Sequence, residues 1–263
     1  MIPAFLILYI VSCICSAIGF YKFIWFLSVG YGSSVAALGV ALLIIFHSKL
    51  TVVSIILCIL CIIYGIRLAS FLFVREKNSG YINNVKNEYV GSEGSEKKVS
   101  FIMKLGIWLP CAFVYVCEVS AVLFRLQNEK SETIFAIIGI VISALGIITE
   151  ALADQQKSNF KKKDPKGFCN VGLFRIVHCP NYLGEITFWF GLFIYGIPIY
   201  QGVLQWIAAI FGFGFITLTM ISAARSIEKK HESKYGNNEV YRAYADKTPI
   251  LIPLIPLYTL NKK

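Results

Sequence analysis

The stretch IIGIVISALGIITEALADQQK, residues 137–157, is mostly apolar but carries small and polar residues at helical spacing. These residues recur every three or four positions: Gly139, Ser143, Gly146, Glu150, Asp154 and Lys157. At about 100° per residue, such positions share one face of an α-helix. Small residues on one face pack helices together in membranes, whereas acidic residues within a span indicate a functional site. The stretch therefore predicts a spanning helix whose acidic end faces the interior of a bundle.

The same apolar character recurs along the whole chain. Of its 263 residues 57% are hydrophobic and 15% are charged, whereas a soluble domain has about 25% charged residues. Windows of about 20 apolar residues, enough to cross the bilayer, predict seven spans: 2–21, 24–46, 51–74, 101–124, 133–153, 185–201 and 203–223. A cleaved signal peptide is the alternative for the first window, but no positive charge precedes it. We therefore expect an all-α, polytopic membrane bundle of about seven transmembrane helices.

Basic residues orient the predicted bundle. The net charge is +10, and nineteen of the 25 lysines and arginines lie in residues 75–100, 157–175 and 225–263. Seven spans place these three segments on one side, which the positive-inside rule makes cytoplasmic. The N-terminus is then outside and the C-terminus cytoplasmic, in the plasma membrane of a prokaryote or the endoplasmic reticulum of a eukaryote. Because topology accounts for the charge, we expect no nucleic-acid partner.

We expect a single integral-membrane domain over residues 1–263. Its predicted parts are three N-terminal helices (1–76), a cytoplasmic loop (77–100), and four further helices with a tail (101–263). Eight cysteines are present, and Cys58 and Cys61 form a C-x-x-C inside an apolar span. No second pair of ligands accompanies them, so we expect no metal site and no structural disulfide. Fingerprints of soluble nucleotide-binding enzymes, such as G-x-G-x-x-G after a strand, are absent.

A polar segment, GLFRIVHCPNYLGE at 172–185, interrupts the apolar spans. Pro180 suits the first turn of a helix, and Asn181 and Glu185, four residues apart, share a face of that helix. The N–H groups and the dipole of a helix start favour an anion. Basic residues lie just upstream: Lys157, Lys161, Lys162, Lys163, Lys166 and Arg175. We predict a site for a large, phosphate-bearing cosubstrate, whose other polar groups meet Glu185 and the carboxylates of the 137–157 stretch.

These residues resemble the steroid 5-alpha-reductase superfamily, nearest its branch of uncharacterised multi-pass membrane proteins. GLFR at 172–175 followed by PNYLGE at 180–185 is similar to the superfamily motif G-L-W/F-x-Y-x-x-x-P-N-Y-F/L-G-E. Further matching stretches are YGIRLA at 64–69, EALADQQKSNF at 150–160 and YRAYADKTPILIP at 241–253. The resemblance implies a seven-helix reductase that binds NADPH in a cytoplasm-facing cavity and takes a lipid substrate from the bilayer.

The resemblance also implies residue roles. Tyr64 matches the tyrosine that hydrogen-bonds the substrate's ketone. The 5-alpha reductases carry a glutamate on the second span, but residues 24–46 contain no carboxylate, and Glu118 on the fourth span is the expected substitute. Many relatives read S-R-H before P-N-Y, whereas this chain reads VHC at 177–179, and His178 is expected to keep part of the positive charge. The motif matches and the basic charge together give the expected cofactor-binding residues: Glu150, Asp154, Lys161, Arg175, His178, Asn181, Tyr182, Glu185 and Arg225.

By this resemblance, the chain is expected to be an NADPH-dependent reductase of a carbon–carbon double bond in a lipid or steroid-like enone. One alternative is an S-adenosylmethionine-dependent methyltransferase of the isoprenylcysteine type, which has a related R-H-P-x-Y-x-G motif. S-adenosylmethionine has no phosphates, however, so a methyltransferase would leave the basic loop without a specific role. The other alternative is a non-catalytic membrane protein or transporter whose motif is altered. Binding of NADPH, of S-adenosylmethionine or of neither would separate the three.

Overall fold

The computed structural model describes residues 2–77, 100–130 and 133–261, so most of the predicted 77–100 loop lies outside the described residues. Within those ranges the chain forms nine α-helices and no strand, which confirms the all-α class. The helices are α1 (Ile2–Ser16), α2 (Val29–Ile45), α3 (Val52–Lys77), α4 (Phe101–Glu118), α5 (Ser120–Asn128), α6 (Ile134–Lys163), α7 (Pro180–Gly196), α8 (Gly202–Tyr235) and α9 (Glu239–Ala245).

Six segments of the described chain are long and apolar enough to cross a membrane: Pro3–Phe20, Phe23–Ile45, Val52–Lys77, Phe101–Glu118, Ile134–Lys163 and Gly202–Tyr235. Each overlaps a predicted span, and the chain is an integral membrane protein. The predicted sixth span, 185–201, corresponds to α7, which begins earlier and has 17 residues. At 1.5 Å per residue α7 is about 25 Å long, close to the lower limit for crossing the hydrocarbon.

The chain divides into two compact units, and the first comprises Met1–Thr133 and Gly196–Gly212. In this unit α2 and α3 pack closely through glycines. A Cβ added to Gly32 would lie 2.8 Å from the carbonyl oxygen of Gly65 and 2.7 Å from the amide nitrogen of Ala69. Any larger side chain at Gly32 would push the two helices apart, so small residues determine this packing.

The predicted fourth span, 101–124, is interrupted in the structure. Helix α4 ends at Glu118, and α5 begins after Val119, whose φ of −85° and ψ of 4° depart from helical values. Gly212 packs against this break, because a Cβ added there would lie 2.7 Å from the carbonyl oxygen of Cys117. The break places the buried Glu118 at the end of a helix rather than in its middle.

The second unit comprises Ile134–Tyr195 and Phe213–Lys263. Here α6 and α7 pack along the small-residue face of the 137–157 stretch. The Ser143 hydroxyl donates to the carbonyl of Phe188 at 3.0 Å, and a Cβ added to Gly146 would lie 2.7 Å from the carbonyl oxygen of Gly184. The small residues of the stripe therefore pack two helices together, as predicted. That the two units form one membrane domain stays a prediction.

Candidate functional site

The acidic end of the α6 stripe is buried in the second unit. Glu150 and Asp154 are 3% and 7% exposed and continue the buried face of α6. A Cβ added to Gly184 would lie 2.6 Å from the amide nitrogen of Glu150 and 2.8 Å from its Cβ. Glu185, the next residue, is 6% exposed, and Asn181, one turn earlier, is half-buried. The α6–α7 contact therefore brings Glu150 beside the PNYLGE motif.

The GLFR turn is fastened to α6 by Gln156, a residue that the sequence reasoning missed. The amide of Leu173 donates to Gln156 Oε1 at 2.8 Å. Gly172 has a φ of +57°, and a Cβ there would lie 2.5 Å from the carboxamide carbon of Gln156, so glycine suits this position. Phe174 packs against Ala153 of α6 in a small buried cluster. The only sequence signal for Gln156 was its place in the matched EALADQQKSNF stretch, and its contact could not be predicted because it depends on how the loop folds back.

Lys161 closes the basic loop that follows α6. Its ammonium group donates to the carbonyl oxygens of Gly167 at 2.5 Å and Pro165 at 3.3 Å. The hydroxyl of Tyr235 donates to the same Gly167 carbonyl at 2.9 Å. Lys161, predicted to contact phosphate, thus also holds the loop in shape. Four other basic residues of this region are exposed to solvent: Lys162, Lys163, Lys166 and Arg175.

The C-terminal tail meets the polar segment just before α7. The amide of His178 donates to the carbonyl of Pro249 at 2.9 Å, and the amide of Cys179 donates to that of Ile250 at 3.0 Å. A buried tail cluster joins the same segments: Cys179, Ala224, Ile250 and Leu251. Because these two amides are bonded to the tail, an anion at the start of α7 has to use amides from Asn181 onward. The predicted anion site therefore excludes the amides of His178 and Cys179.

His178 is a neutral residue in this fold. Its ring is 9% exposed and stacks on Tyr244, with ring centroids 4.7 Å apart and an interplanar angle of 14°. Burial lowers the pKa of the imidazole from 6.5 to about 4, and the carboxylate of Glu228 opposes this only in part. The positive charge expected of His178 is therefore absent at neutral pH. To a cofactor site His178 would contribute a flat ring surface and a ring nitrogen that is able to form a hydrogen bond.

Arg225 and Tyr182, both expected to bind the cofactor, contact the tail region. Arg225 is exposed, and its Nε donates to Asn261 Oδ1 at 3.1 Å. Glu228, one turn further along α8, accepts a hydrogen bond from the Leu260 amide at 2.9 Å. Tyr182 packs against the tail cluster. Sequence reasoning missed Glu228, whose partners lie more than thirty residues away in the chain.

The predicted catalytic residues belong to the first unit. Tyr64 is fully buried, its hydroxyl lies 3.2 Å from that of Tyr31, and the guanidinium of Arg67 lies 5.8 Å from its ring centroid. Glu118 is 6% exposed. Sequence reasoning missed Tyr31, although it is a polar-tipped residue on the second span, where the resemblance implies a carboxylate. The catalytic roles of Tyr64 and Glu118 stay predictions.

The first unit also contains an apolar cavity of about 560 Å³. Residues of α1, α4, α5 and α8 line it, among them Phe5, Phe113, Cys117, Phe124, Ile207 and Phe211. Two polar residues of its wall are engaged elsewhere. The hydroxyl of Tyr9 donates to the Leu109 carbonyl at 3.2 Å, and Gln205 Oε1 accepts from Asn128 Nδ2 at 2.8 Å. The cavity therefore suits hydrocarbon better than polar groups.

Known proteins resemble this chain over different lengths. Residues 11–248 match the family described as "Protein of unknown function (DUF1295)". Steroid 5-alpha-reductase DET2 of Gossypium hirsutum is 34% identical over 95 residues, which is 35% of this chain and 33% of that protein. Uncharacterized protein C594.04c of Schizosaccharomyces pombe is 27% identical over 146 residues, 48% of this chain and 41% of that protein. The matched regions thus span less than half of either relative, and no solved structure matches.

The family match extends over most of the chain and includes both the α6 acids and the PNYLGE motif. The similarity to the Gossypium hirsutum reductase agrees with the motif resemblance. The chain therefore belongs to the DUF1295 family, within the steroid 5-alpha-reductase superfamily.

Proposed function

We propose that this chain is a membrane-embedded reductase that uses NADPH to reduce a carbon–carbon double bond in a lipid or steroid-like enone. The observation that carries the proposal is the contact between Glu150 on α6 and Gly184 in the PNYLGE motif of α7. It joins buried carboxylates to the motif that resembles the reductases. Membership of the family, together with the similarity to a steroid 5-alpha-reductase, supports a membrane reductase.

The residues of the second unit fit the chemistry of a phosphorylated dinucleotide. Exposed basic side chains around the loop suit its phosphates, because cations and helix starts both attract anions. The buried carboxylates of Glu150, Asp154 and Glu185 would accept hydrogen bonds from ribose hydroxyls or an amide. The Asn181 carboxamide can both donate to and accept from the nicotinamide carboxamide. S-adenosylmethionine has no phosphate, so it fits the basic loop less well.

Tyr64 would act on the substrate rather than on the cofactor. When bound, NADPH supplies a hydride for the β-carbon of an enone. The Tyr64 hydroxyl would donate a hydrogen bond to the ketone oxygen, where negative charge develops, and a proton added at the α-carbon completes the reduction. The Tyr31 hydroxyl, 3.2 Å from that of Tyr64, would hold it in place. Tyr31 thus supplies a polar partner on the second span, where this chain has no carboxylate.

The apolar cavity of the first unit supports a hydrophobic substrate. Its volume of about 560 Å³ lies within the usual range of small-molecule sites, about 300–1,000 Å³. The polar atoms of Tyr9 and Gln205 on its wall are already hydrogen-bonded. We propose that the cavity accommodates the hydrocarbon part of a substrate that enters from the bilayer.

A binding experiment tests the proposal. Purified protein in detergent is titrated with NADPH, NADH and S-adenosylmethionine, and binding is followed by calorimetry. We expect NADPH to bind about tenfold or more tightly than NADH, since one phosphate with charge-assisted hydrogen bonds contributes roughly 1.5–3 kcal/mol. Binding should weaken as salt rises, because charges near water are screened.

Two outcomes would contradict the reductase, and a third would contradict its preference for NADPH. Binding of S-adenosylmethionine alone would favour a methyltransferase. No binding of NADPH at millimolar concentration in folded protein would favour a non-catalytic role. Equal affinity for NADH and NADPH would refute the part of the proposal that the exposed basic residues recognise the extra phosphate.

A further inference from the structure

The C-terminal tail and the segment that leads into α7 are tied together at several points. Tyr244 of α9 makes two of these contacts. Its hydroxyl donates to the Phe174 carbonyl at 2.6 Å, and its ring stacks on the ring of His178. Two backbone hydrogen bonds then continue from His178 and Cys179 to the tail. Tyr244 therefore contacts both ends of the stretch between the GLFR turn and Pro180.

We propose that Tyr244 is a positioning residue that fixes the 174–179 segment, and with it the start of α7, for cofactor binding. The part that concerns the cofactor rests on the proposed NADPH site. The same region is also held to α6, because the Leu173 amide, just before the segment, donates to Gln156 and Phe174 packs against Ala153. Tyr244 connects this region to the tail, and the PNYLGE motif itself contacts α6 at Gly184 and the tail cluster at Tyr182.

The local chemistry suits this role. Residues 176–179 lie between the GLFR turn and α7 and have no helix of their own to fix them. Their geometry therefore depends on contacts with other segments. The Tyr244 hydroxyl is protonated at neutral pH, and burial raises its pKa further above its usual range, so it is a donor throughout the working pH range. His178 is neutral there, and its ring packs on Tyr244 without the cost of burying a charge.

Two variants separate the hydroxyl bond of Tyr244 from its ring contacts, and a third variant is the control. Tyr244→Phe removes the hydroxyl bond and keeps the ring, whereas Tyr244→Leu also removes the ring contacts with His178 and Phe168. Tyr258→Phe is the matched control, since it makes the same change in the same tail at a side chain that is 42% exposed. For each variant three quantities are measured in detergent: NADPH affinity, melting temperature, and amide hydrogen exchange of the peptide that contains residues 174–182.

We expect NADPH affinity to fall about fivefold in Tyr244→Phe, which loses the hydroxyl bond, and further in Tyr244→Leu, which loses the ring contacts as well. Exchange at His178 and Cys179 should become faster in the same order, while exchange in the rest of α6, α7 and α8 and all three quantities in the control stay unchanged. The opposite result, Tyr244→Leu with wild-type affinity and exchange, would overturn the proposal. So would faster exchange throughout α6, α7 and α8 with a lower melting temperature, because that pattern indicates a purely structural role.

The two proposals fail in different ways. If wild-type protein does not bind NADPH, the reductase proposal is refuted, whereas the exchange comparison still decides whether Tyr244 fixes the segment. If wild-type protein binds NADPH and neither variant changes affinity or local exchange, the reductase proposal survives and the role of Tyr244 is refuted.

Discussion

Asn181 is the residue whose side chain most directly tests the cofactor site. It lies on the first turn of α7, half-buried, on the same helix face as the buried Glu185. Asn181→Ala should remove hydrogen bonds worth about 1–3 kcal/mol to a bound cofactor, so affinity should fall roughly 5- to 150-fold. The melting temperature of the variant should match that of the wild type. Asn237→Ala, the same change at an exposed position, is the control and should alter neither quantity.

One combination of results would contradict the proposed cofactor site. Unchanged affinity with a clearly lower melting temperature in Asn181→Ala and Asp154→Ala would make both of them packing residues. The acidic face of α6 would then extend the small-residue stripe without binding a ligand.

His178 gives a pH dependence with a definite sign. Its folded-state pKa of about 4 is lower than the usual 6.5, so the unfolded chain takes up the proton first as the pH falls. The associated stability is fully present above about pH 6.5 and is lost towards pH 4; at about 1.4 kcal/mol per pKa unit the loss reaches about 3 kcal/mol. His178→Phe keeps a ring for Tyr244 to stack on but cannot titrate. We expect its melting temperature to fall less than that of the wild type between pH 7.5 and pH 5, and equal falls would contradict the assignment.

Individual site residues differed in how far the sequence could predict them. Periodicity alone placed Glu150 and Asp154 on one face of α6, and the structure buries that face, because a 3.6-residue repeat is a local property. Gln156 and Tyr244 could not be found in this way. Each contacts a residue at least seventeen positions away, and such a contact depends on the path of a loop that no local pattern specifies. The charge of His178 could not be predicted either, since its pKa depends on burial.

At the scale of elements, the α6–α7 contact is the most sensitive to volume. A Cβ at position 191 would lie 2.5 Å from the Ser143 amide nitrogen and 2.6 Å from the Gly139 carbonyl oxygen, and backbone atoms cannot move aside cheaply. Gly191→Ala should therefore destabilise the protein by about 1–3 kcal/mol and lower the melting temperature. Gly214→Ala, in α8 with no atom within 4 Å of the added Cβ, should be neutral or slightly stabilising. Equal effects of the two changes would contradict the close packing.

Hydropathy predicted the presence of the spanning helices better than it predicted where each helix begins and ends. The fifth span, predicted as 133–153, continues as α6 to Lys163, because a helix can extend beyond the apolar core where charged residues are tolerated. The interruption at Val119 was not predicted, since the α4 and α5 sequences together read as one apolar window. At this interruption Gly212 packs tightly against the backbone of Cys117, and these two residues are far apart in the chain.

At the scale of the whole molecule, the number of crossings depends on α7. Six segments are clearly long enough to span, whereas α7 has 17 residues. Contacts within the second unit support a seventh crossing. The hydroxyl of Tyr235, at the end of α8, donates to the Lys166 carbonyl at 2.8 Å, just beyond the end of α6. The loop after α6 and the end of α8 therefore lie close together and belong on the same side of the membrane, and if α8 crosses, α7 has to cross as well.

This topology can be tested with two cysteine substitutions at exposed lysines, Lys162→Cys after the apolar part of α6 and Lys234→Cys near the end of α8. If α7 crosses, a membrane-impermeant maleimide labels both from the same side, which the positive-inside rule makes cytoplasmic. Lys49→Cys, between α2 and α3, should be labelled from the opposite side. Wild-type protein is the background control, since its eight native cysteines are buried or half-buried. Labelling of Lys162→Cys and Lys234→Cys from opposite sides would mean that α7 does not cross, and it would also contradict the Tyr235–Lys166 contact.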